Sequence, residues 1–265
     1  VIVAMSGGVD SSVAAVKLKK EGYDVTGVTL RLYNQPNSSK SKSCCAGIDI
    51  NDAKKVAEQY DFPHKVYDYQ DKFFNGVINN FVESYANAKT PVPCIKCNQT
   101  VKFSDLLEES KNLNADALVT GHYAIRKGGL KKSKLYKAKD KTKDQSYFLF
   151  ATLQDQLDYV RFPLGNYLKS EIRQMANDYK LTVSDKPDSQ DICFVTSDSY
   201  RDLINKLQPE INKEGNIFDI HGNKIGVHKG IANYTVGQRK GVGVGGQNQP
   251  LYVKEVNKNQ NYIVL

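Results

Sequence analysis

Apolar and polar residues alternate with two periods along the first half of the chain, and each period predicts an element. Residues 1–5 form a short unbroken apolar run, which reads as a buried strand. Residues 9–21 then carry apolar positions at helical spacing, with Gly22 as the stop. The spacing next predicts a strand over 25–32, a helix over 49–60 and a strand over 64–67. A longer amphipathic helix is expected over 71–88, with Phe74, Val77, Ile78, Phe81 and Tyr85 on one side. Another helix follows over 101–113, and a fourth strand over 117–120. Strands and helices in strict alternation build a doubly wound parallel α/β sheet, whose ligands collect beyond the carboxyl ends of the strands.

Beyond residue 122 the pattern changes. A hairpin is expected over 123–138, turning at Gly128 and Gly129, followed by short strand or helix pieces at 146–153, 169–179 and 199–207. From Gly215 onward the texture is β-rich. This predicts a catalytic α/β domain over 1–200 and a smaller β-rich domain over 201–265. The sequence opens at Val1 inside a strand and without Met, so further residues are expected upstream.

Chemistry enters at the end of the first strand. Ser6, Gly7, Gly8, Val9, Asp10, Ser11 and Ser12 lie between that strand and the first helix. Two glycines let backbone N–H groups face an anion, and the helix that follows points its positive end at the same place. The loop has no Lys of the Walker type, so a γ-phosphate clamp is not expected. It resembles the pyrophosphate loop of enzymes that split ATP into AMP and pyrophosphate, with Ser6, Ser11 and Ser12 on phosphate oxygens and Asp10 organising a magnesium-bound pyrophosphate. The competing reading is a tight strand-to-helix turn capped by Asp10 or Ser11.

Five cysteines, an odd number with no export signal, argue for thiol chemistry, metal binding or plain burial over a disulfide framework. Cys94 and Cys97 lie in a proline-stiffened stretch, Thr90 to Asn98, read as a loop before a helix near Thr100. Beside Lys96 and Lys102 and near a helix N-terminus, such a thiol is expected to ionise easily. Cys193 stands far along the chain. Cys94, Cys97 and Cys193 also fit three ligands of an iron–sulfur or zinc site, and that alternative stays open. Cys44 and Cys45 are adjacent and read as incidental or packed.

A formal charge of +8 and a pI near 9.0 describe a surface that attracts polyanions. Only six of the basic residues are Arg, so part of the excess reflects lysine usage. Eight lysines run from Lys127 to Lys143, on and after the expected hairpin. They read either as a grip on a nucleic-acid backbone or as charges that keep a hairpin edge from pairing. No apolar run approaches the roughly 20 residues needed to cross a bilayer. A cytoplasmic protein is expected.

Six blocks occur in one order: the phosphate loop; Thr90-Pro91 through Cys97-Asn98; Thr120-Gly121-His122-Tyr123; Lys143-Asp144-Gln145-Ser146-Tyr147-Phe148; Asp188-Ser189-Gln190 with Ile192-Cys193-Phe194; and Gly237-Gln238-Arg239-Lys240-Gly241. In that order the chain resembles the tRNA-specific 2-thiouridylases. The resemblance implies an ATP-pyrophosphatase (PP-loop) fold, with ATP and Mg2+ used to adenylate O2 of the wobble uridine. It implies Cys97 as nucleophile and Cys193 as persulfide carrier, loaded by a sulfur-donor protein. ATP contacts would fall to Ala4, Met5, Ser6, Gly7, Gly8, Val9, Asp10, Ser11, Leu30 and Gly121. Contacts with tRNA would fall to Val92, Pro93, Cys94, His122, Lys143, Asp144 and Gln145, and no resident metal ligand is implied. Many members carry Asp where this chain has Cys94, which leaves a general base at that position unassigned. The family also continues into a C-terminal β-barrel, which is expected to be absent from this chain. The rival within the same fold is an ATP-splitting ligase with no need of the two thiols.

Overall fold

The structure is a computed structural model that describes residues 1–33, 47–188, 192–195, 199–245 and 249–265. Cys44 and Cys45 lie outside the described residues, as do Ser189 and Gln190. Contacts divide the chain into two compact units, one of Val1–Gly76 with Cys94–Phe194 and one of Val77–Pro93 with Val195–Leu265. Among the described residues no helix is long and apolar enough to cross a membrane.

In the first unit β1 (Ile2–Ala4) leads through the loop into α1 (Val9–Lys20), then β2 (Thr26–Arg31), α2 (Gly47–Gln59) and β3 (His64–Asp68). β4 (Leu118–Thr120) precedes the hairpin of β5 (Ala124–Lys127) and β6 (Lys134–Lys137), then β7 (Val160–Arg161) and α3 (Lys169–Asp178). The main sheet has the order β3-β2-β1-β4-β7 with every pair parallel. The expected doubly wound sheet is therefore present, with one strand more than the periodicity showed. At two residues, β7 is too short to leave an alternating pattern. Val3, Val13, Ala14, Val16, Val119, Leu164 and Ile172 form the core between sheet and helices. Small Ala14 and Ala15 on α1 let α3 pack closely against it. Truncating Ile172, which is fully buried, to Ala is expected to cost about 2–5 kcal/mol.

Two helical runs depart from the expected ones. Over residues 70–86, α-helical Gln70–Phe73 passes into a π-helical stretch, Phe74–Ile78, and back to α-helix at Asn79–Ala86. The wider π turn rotates Phe74 off the apolar stripe and into solvent, while Val77, Ile78, Phe81 and Tyr85 stay buried. The second run starts at Pro93–Cys97, continues as a π stretch over Asn98–Asp105 and ends with Leu106–Asn112. The reading of 90–98 as a loop is thus corrected from Pro93 onward. Proline at a first helical position is preorganised for the turn it starts.

In the second unit β8 (Gly215–Phe218), β9 (Lys224–His228), β10 (Glu255–Asn257) and β11 (Tyr262–Val264) form a sheet of order β10-β11-β8-β9. Ile217, Tyr234, Val242, Val253 and Ile263 make its core. α4 (Tyr200–Leu207) starts at Ser199, whose hydroxyl accepts from the Arg201 N–H at 3.2 Å. His228 is fully buried on β9. Its Nδ1 accepts from the Gly230 N–H at 3.1 Å, so its Nε2 carries the proton and donates to the Asn261 carbonyl at 3.1 Å.

Burial pushes His228 below the ordinary imidazole value. It does the same to His64, with the Lys54 charge adding to the effect, and His64 Nε2 lies 2.8 Å from the Thr29 hydroxyl. Both histidines hold a proton more weakly folded than unfolded. Their contribution to stability is complete above the unfolded value of about 6.5 and is lost as pH falls through it. The denaturation midpoint is expected to fall between about pH 7.5 and 5.5, above the range where carboxylates titrate; a flat or rising midpoint contradicts the neutral, buried assignment.

Candidate active site

The loop after β1 is shaped by two close approaches. Gly7 has φ +71°, and a Cβ there would lie 2.1 Å from the Asp49 carbonyl oxygen at the start of α2. A Cβ on Gly121, just past β4, would lie 2.9 Å from the Ser11 nitrogen. Hydrogen alone fits at both places, so the loop is seated between α2 and the carboxyl end of β4. Gly8, the residue before α1, offers no side-chain cap. The first N–H groups of such a helix have no partner within it and face the loop.

The hydroxyls of the loop are engaged with its own backbone. Ser12 is fully buried and donates to the Gly8 carbonyl at 2.8 Å. Ser11 donates to the same carbonyl at 3.2 Å and accepts from the Ser6 N–H at 3.1 Å. Neither Asp10 nor Ser11 caps the helix, because the cap position falls at Gly8. Ser6 and Gly8 are half-buried, as is Ala4 at the end of β1. Met5 and Val9 are core residues that meet the loop's surroundings through their backbone. Leu30 on β2 is buried and, by the parallel register of Ala4 with Val28, lies level with Ser6.

An ionic cluster that the motifs did not foretell surrounds this loop. Lys169 Nζ contacts both oxygens of Asp10 at 2.7 and 2.8 Å and Asp188 at 2.8 Å. The Tyr123 hydroxyl donates to Asp10 Oδ1 at 2.7 Å, and the Lys169 ammonium lies 5.7 Å from the centre of that ring. Lys143 and Arg173 reach Asp188 at 2.8 and 3.0 Å. Burial works against the Asp188 charge, but hydrogen bonds from Lys143 and Lys169 outweigh it and hold the carboxyl at about 2. Lys186 reaches Asp49 at 2.5 Å, Asp52 at 2.6 Å and the Gly7 carbonyl at 2.9 Å. One signal for Lys169 was present in the sequence: it occupies the first position of α3, where the helix dipole disfavours a cation unless an anion answers it.

Asp10 does not fit as a metal ligand in this arrangement, because both of its oxygens are taken by Lys169 and one also by Tyr123.

Cys94 is exposed, Cys97 buried and Cys193 half-buried. Burial pushes the Cys97 thiol up from its ordinary value; Lys102 opposes this and Cys94 adds to it. The expectation of easy ionisation is therefore corrected. Cys97 ends the first turns of a continuous helical run and enters the π stretch directly, instead of preceding a fresh helix N-terminus. Among the described residues no three of His, Cys, Asp and Glu are grouped to hold a metal, and all three of these cysteines are described. With Cys94 in solvent and Cys97 in the interior, the iron–sulfur or zinc set is not assembled.

Both remaining thiols belong to the loop's edge of the sheet. Tyr33, two residues past β2, donates its hydroxyl to the Cys193 carbonyl at 2.6 Å. Phe194 packs edge-on against Phe73 at 5.7 Å, and Phe73 lies 6.3 Å from the Tyr33 ring. Cys193 is thus anchored at the carboxyl end of β2. Lys102 acts electrostatically on both Cys97 and His122, and His122 lies two residues past β4. Phe103, beside Lys102, packs on His122 at 6.1 Å. Asn98 Nδ2 donates to the Phe148 carbonyl at 3.1 Å, and Gln145 accepts from the Tyr123 N–H and donates to its carbonyl just past β4, so the residue after Cys97 lies near the carboxyl end of β4.

Burial, reinforced by Lys102, pushes His122 well below the ordinary imidazole value, and its Nδ1 lies 2.8 Å from the Thr120 hydroxyl. Asp144 accepts from the Ala138 N–H at 2.8 Å and from the Ser146 hydroxyl at 2.7 Å, and Gln145 accepts from the Tyr123 N–H at 2.9 Å. These two side chains hold the local backbone, while Lys143 joins the ionic cluster. Val92 is exposed and Pro93 buried. The hairpin of β5 and β6 forms as expected, with Lys131, Lys132, Lys134 and Lys137 exposed. Arg126 pins it by donating to the Leu157 and Asp158 carbonyls at 2.8 and 2.9 Å. Gln238 closes an ordinary turn, accepting from the Thr235 N–H and donating to the Lys240 carbonyl, both at 3.1 Å.

A family model described as the tRNA methyl transferase HUP domain matches residues 1–197, and one described as the tRNA methyl transferase PRC-barrel domain matches residues 202–265. The tRNA-specific 2-thiouridylase MnmA of Dinoroseobacter shibae is 52% identical over 267 residues, covering 100% of this chain and 70% of that protein. Its namesake from Wolbachia pipientis subsp. Culex pipiens is 53% identical over 264 residues, covering 100% and 71%. A solved 4-thiouridine synthetase–RNA complex with bound ATP is 16% identical, with a TM-score of 0.44 over 79% of this chain and 49% of that one. That last likeness is too loose to carry an argument. The descriptions of the family models and of the relatives name different reactions, and the relatives, matched along the whole chain, decide between them. With both units matched and about half of all residues shared with proteins of that name, the chain belongs to the tRNA-specific 2-thiouridylase family.

Proposed function

We propose that this protein replaces O2 of the wobble uridine of tRNA with sulfur, using ATP to turn that oxygen into a leaving group. The reading is supported by a glycine loop shaped for an anion and clustered lysines at the carboxyl edge of a parallel sheet, with the segments that carry Cys97 and Cys193 anchored near the ends of β4 and β2. A phosphate loop alone would suit any ATP-splitting ligase. The two thiols set this reading apart from that rival.

Uracil O2 attacks the α-phosphorus of ATP; the bond to the bridging oxygen breaks and pyrophosphate leaves. The start of α1 and the ammonium groups of Lys169 and Lys186 take the charge that builds on the departing phosphates. Cys193, loaded as a persulfide by a sulfur-donor protein, then adds its outer sulfur to C2, and AMP departs with the former base oxygen. The Cys97 thiolate attacks the Cys193 sulfur and releases the thiolated base. The two cysteines are left as a disulfide, which an external thiol reduces. Persulfide sulfur thereby gains two electrons and the cysteine pair loses them. Holding base, nucleotide and sulfur together removes the entropic cost of a diffusing sulfide. The base must leave its stack to reach this edge.

Three outcomes follow from the roles assigned. Lys169→Ala should weaken ATP binding about tenfold or more, the loss expected for a charge-assisted contact of roughly 1.5–3 kcal/mol. Unchanged affinity by calorimetry removes Lys169 from the nucleotide site. Cys97→Ser and Cys193→Ser should each abolish sulfur incorporation into tRNA while leaving tRNA-dependent pyrophosphate release in place. If either variant still thiolates, its cysteine has no part in the relay. Because burial raises the Cys97 thiol, single-turnover sulfur transfer in persulfide-loaded enzyme should keep rising with pH past the usual thiol value of about 8.5. A plateau reached below pH 8 shows that a different group limits the step.

A further inference from the structure

Directly after Gln145 the chain forms a short 3-10 turn, Ser146–Leu149, and two aromatic side chains around it stand in solvent. Tyr147 is 63% exposed and Phe150 67%. Their rings lie 6.2 Å apart at 42°, and Phe148 supports Tyr147 edge-on at 5.6 Å. The turn beneath them is fixed. Leu149 is buried, the Phe148 N–H donates to the Gln145 carbonyl at 3.0 Å, and the Phe148 carbonyl accepts from Asn98 Nδ2 at 3.1 Å. Asn98 is the residue after Cys97, and the π stretch that it opens packs on this turn, as does β6. The turn that carries the exposed pair is therefore anchored beside the helix that carries the buried cysteine.

The strand packed against this turn decides between occupants. β6, which contacts the turn, carries exposed Lys134 and Lys137, and exposed Lys141 lies between it and the turn in the chain. Protein interfaces are depleted in Lys at their centres. Exposed rings on a turn that packs against a lysine-bearing strand instead suit unpaired nucleotides, the ring taking a base face and an ammonium a phosphate.

We propose that Tyr147 and Phe150 form a stacking platform for unpaired bases of the RNA loop that carries the target uridine. The inference rests on the tRNA reading and adds a subsite to it. Turning one base out of a loop leaves its neighbours without a stacking partner, and two preplaced rings supply one.

The test uses an anticodon stem-loop RNA with 2-aminopurine beside the target uridine, titrated into the protein and followed by fluorescence. Tyr147→Ala and Phe150→Ala should each weaken binding roughly five- to a hundredfold and reduce the quench, as expected for loss of one stacked base. Tyr147→Phe and Phe150→Tyr should retain both. The dependence of affinity on salt should keep its slope, because no phosphate contact is removed. Unchanged ATP affinity verifies that each variant is folded. Equal RNA binding by the alanine variants and the parent protein overturns the platform and leaves the tRNA reading standing. Equal RNA binding with slowed sulfur delivery from a donor protein also overturns it and makes the rings a protein-docking face. Failure of the parent protein itself to bind the stem-loop overturns both readings.

Discussion

The ammonium of Lys169, held between the carboxylates of Asp10 and Asp188, ties together three pieces of chain that the sequence keeps far apart. One is the loop after β1, the second the start of α3, and the third the stretch that leads toward Cys193. Half-removed from water, such pairs attract more strongly than surface pairs do. Four cations, Lys143, Lys169, Arg173 and Lys186, meet four carboxylates, Asp10, Asp49, Asp52 and Asp188, so these groups cancel one another's charge. On the proposed function, a triphosphate entering the loop competes with carboxylates for ammonium groups that are already engaged, which links nucleotide binding to the placement of Asp188, and Lys143 extends that link toward the stretch beside the aromatic pair.

The two thiols are set up differently. Cys193 has its backbone tied to the end of β2 by Tyr33 and its neighbour Phe194 seated on Phe73, so the half-buried sulfur is carried by an anchored segment. Cys97 is interior, with its thiol favoured over its thiolate. A neutral, buried thiol is protected from oxidants. The π stretch that begins at Asn98 has weaker backbone geometry than an α-helix, and such stretches recur at functional positions.

Most of the first unit's architecture was legible from periodicity, because strands buried on both faces and amphipathic helices imprint their spacing directly. What escaped had physical reasons. β7 has two residues, and a π turn shifts the phase of a helix without changing its composition, which is why Phe74 was assigned to the wrong face and Cys97 to a loop. The phosphate loop was visible because Gly7 and Gly8 stand between a strand pattern and a helix pattern, and Gly7 is required where backbone approaches backbone. The lysine cluster was not, since Lys169 reaches Asp10, and Lys186 reaches Asp49 and Asp52, across more than a hundred positions. Charge pairs between distant segments leave no local pattern. The helix-start position of Lys169 was the single local anomaly that pointed to one.

On the proposed function the base oxygen leaves on AMP. This is tested by thiolating tRNA that carries 18O at O2 of the target uridine and weighing the AMP released in a single turnover. AMP heavier by one 18O is the predicted result. Unlabelled AMP alongside thiolated tRNA would contradict the account, since the nucleotide would then have been cleaved by some acceptor other than the uridine.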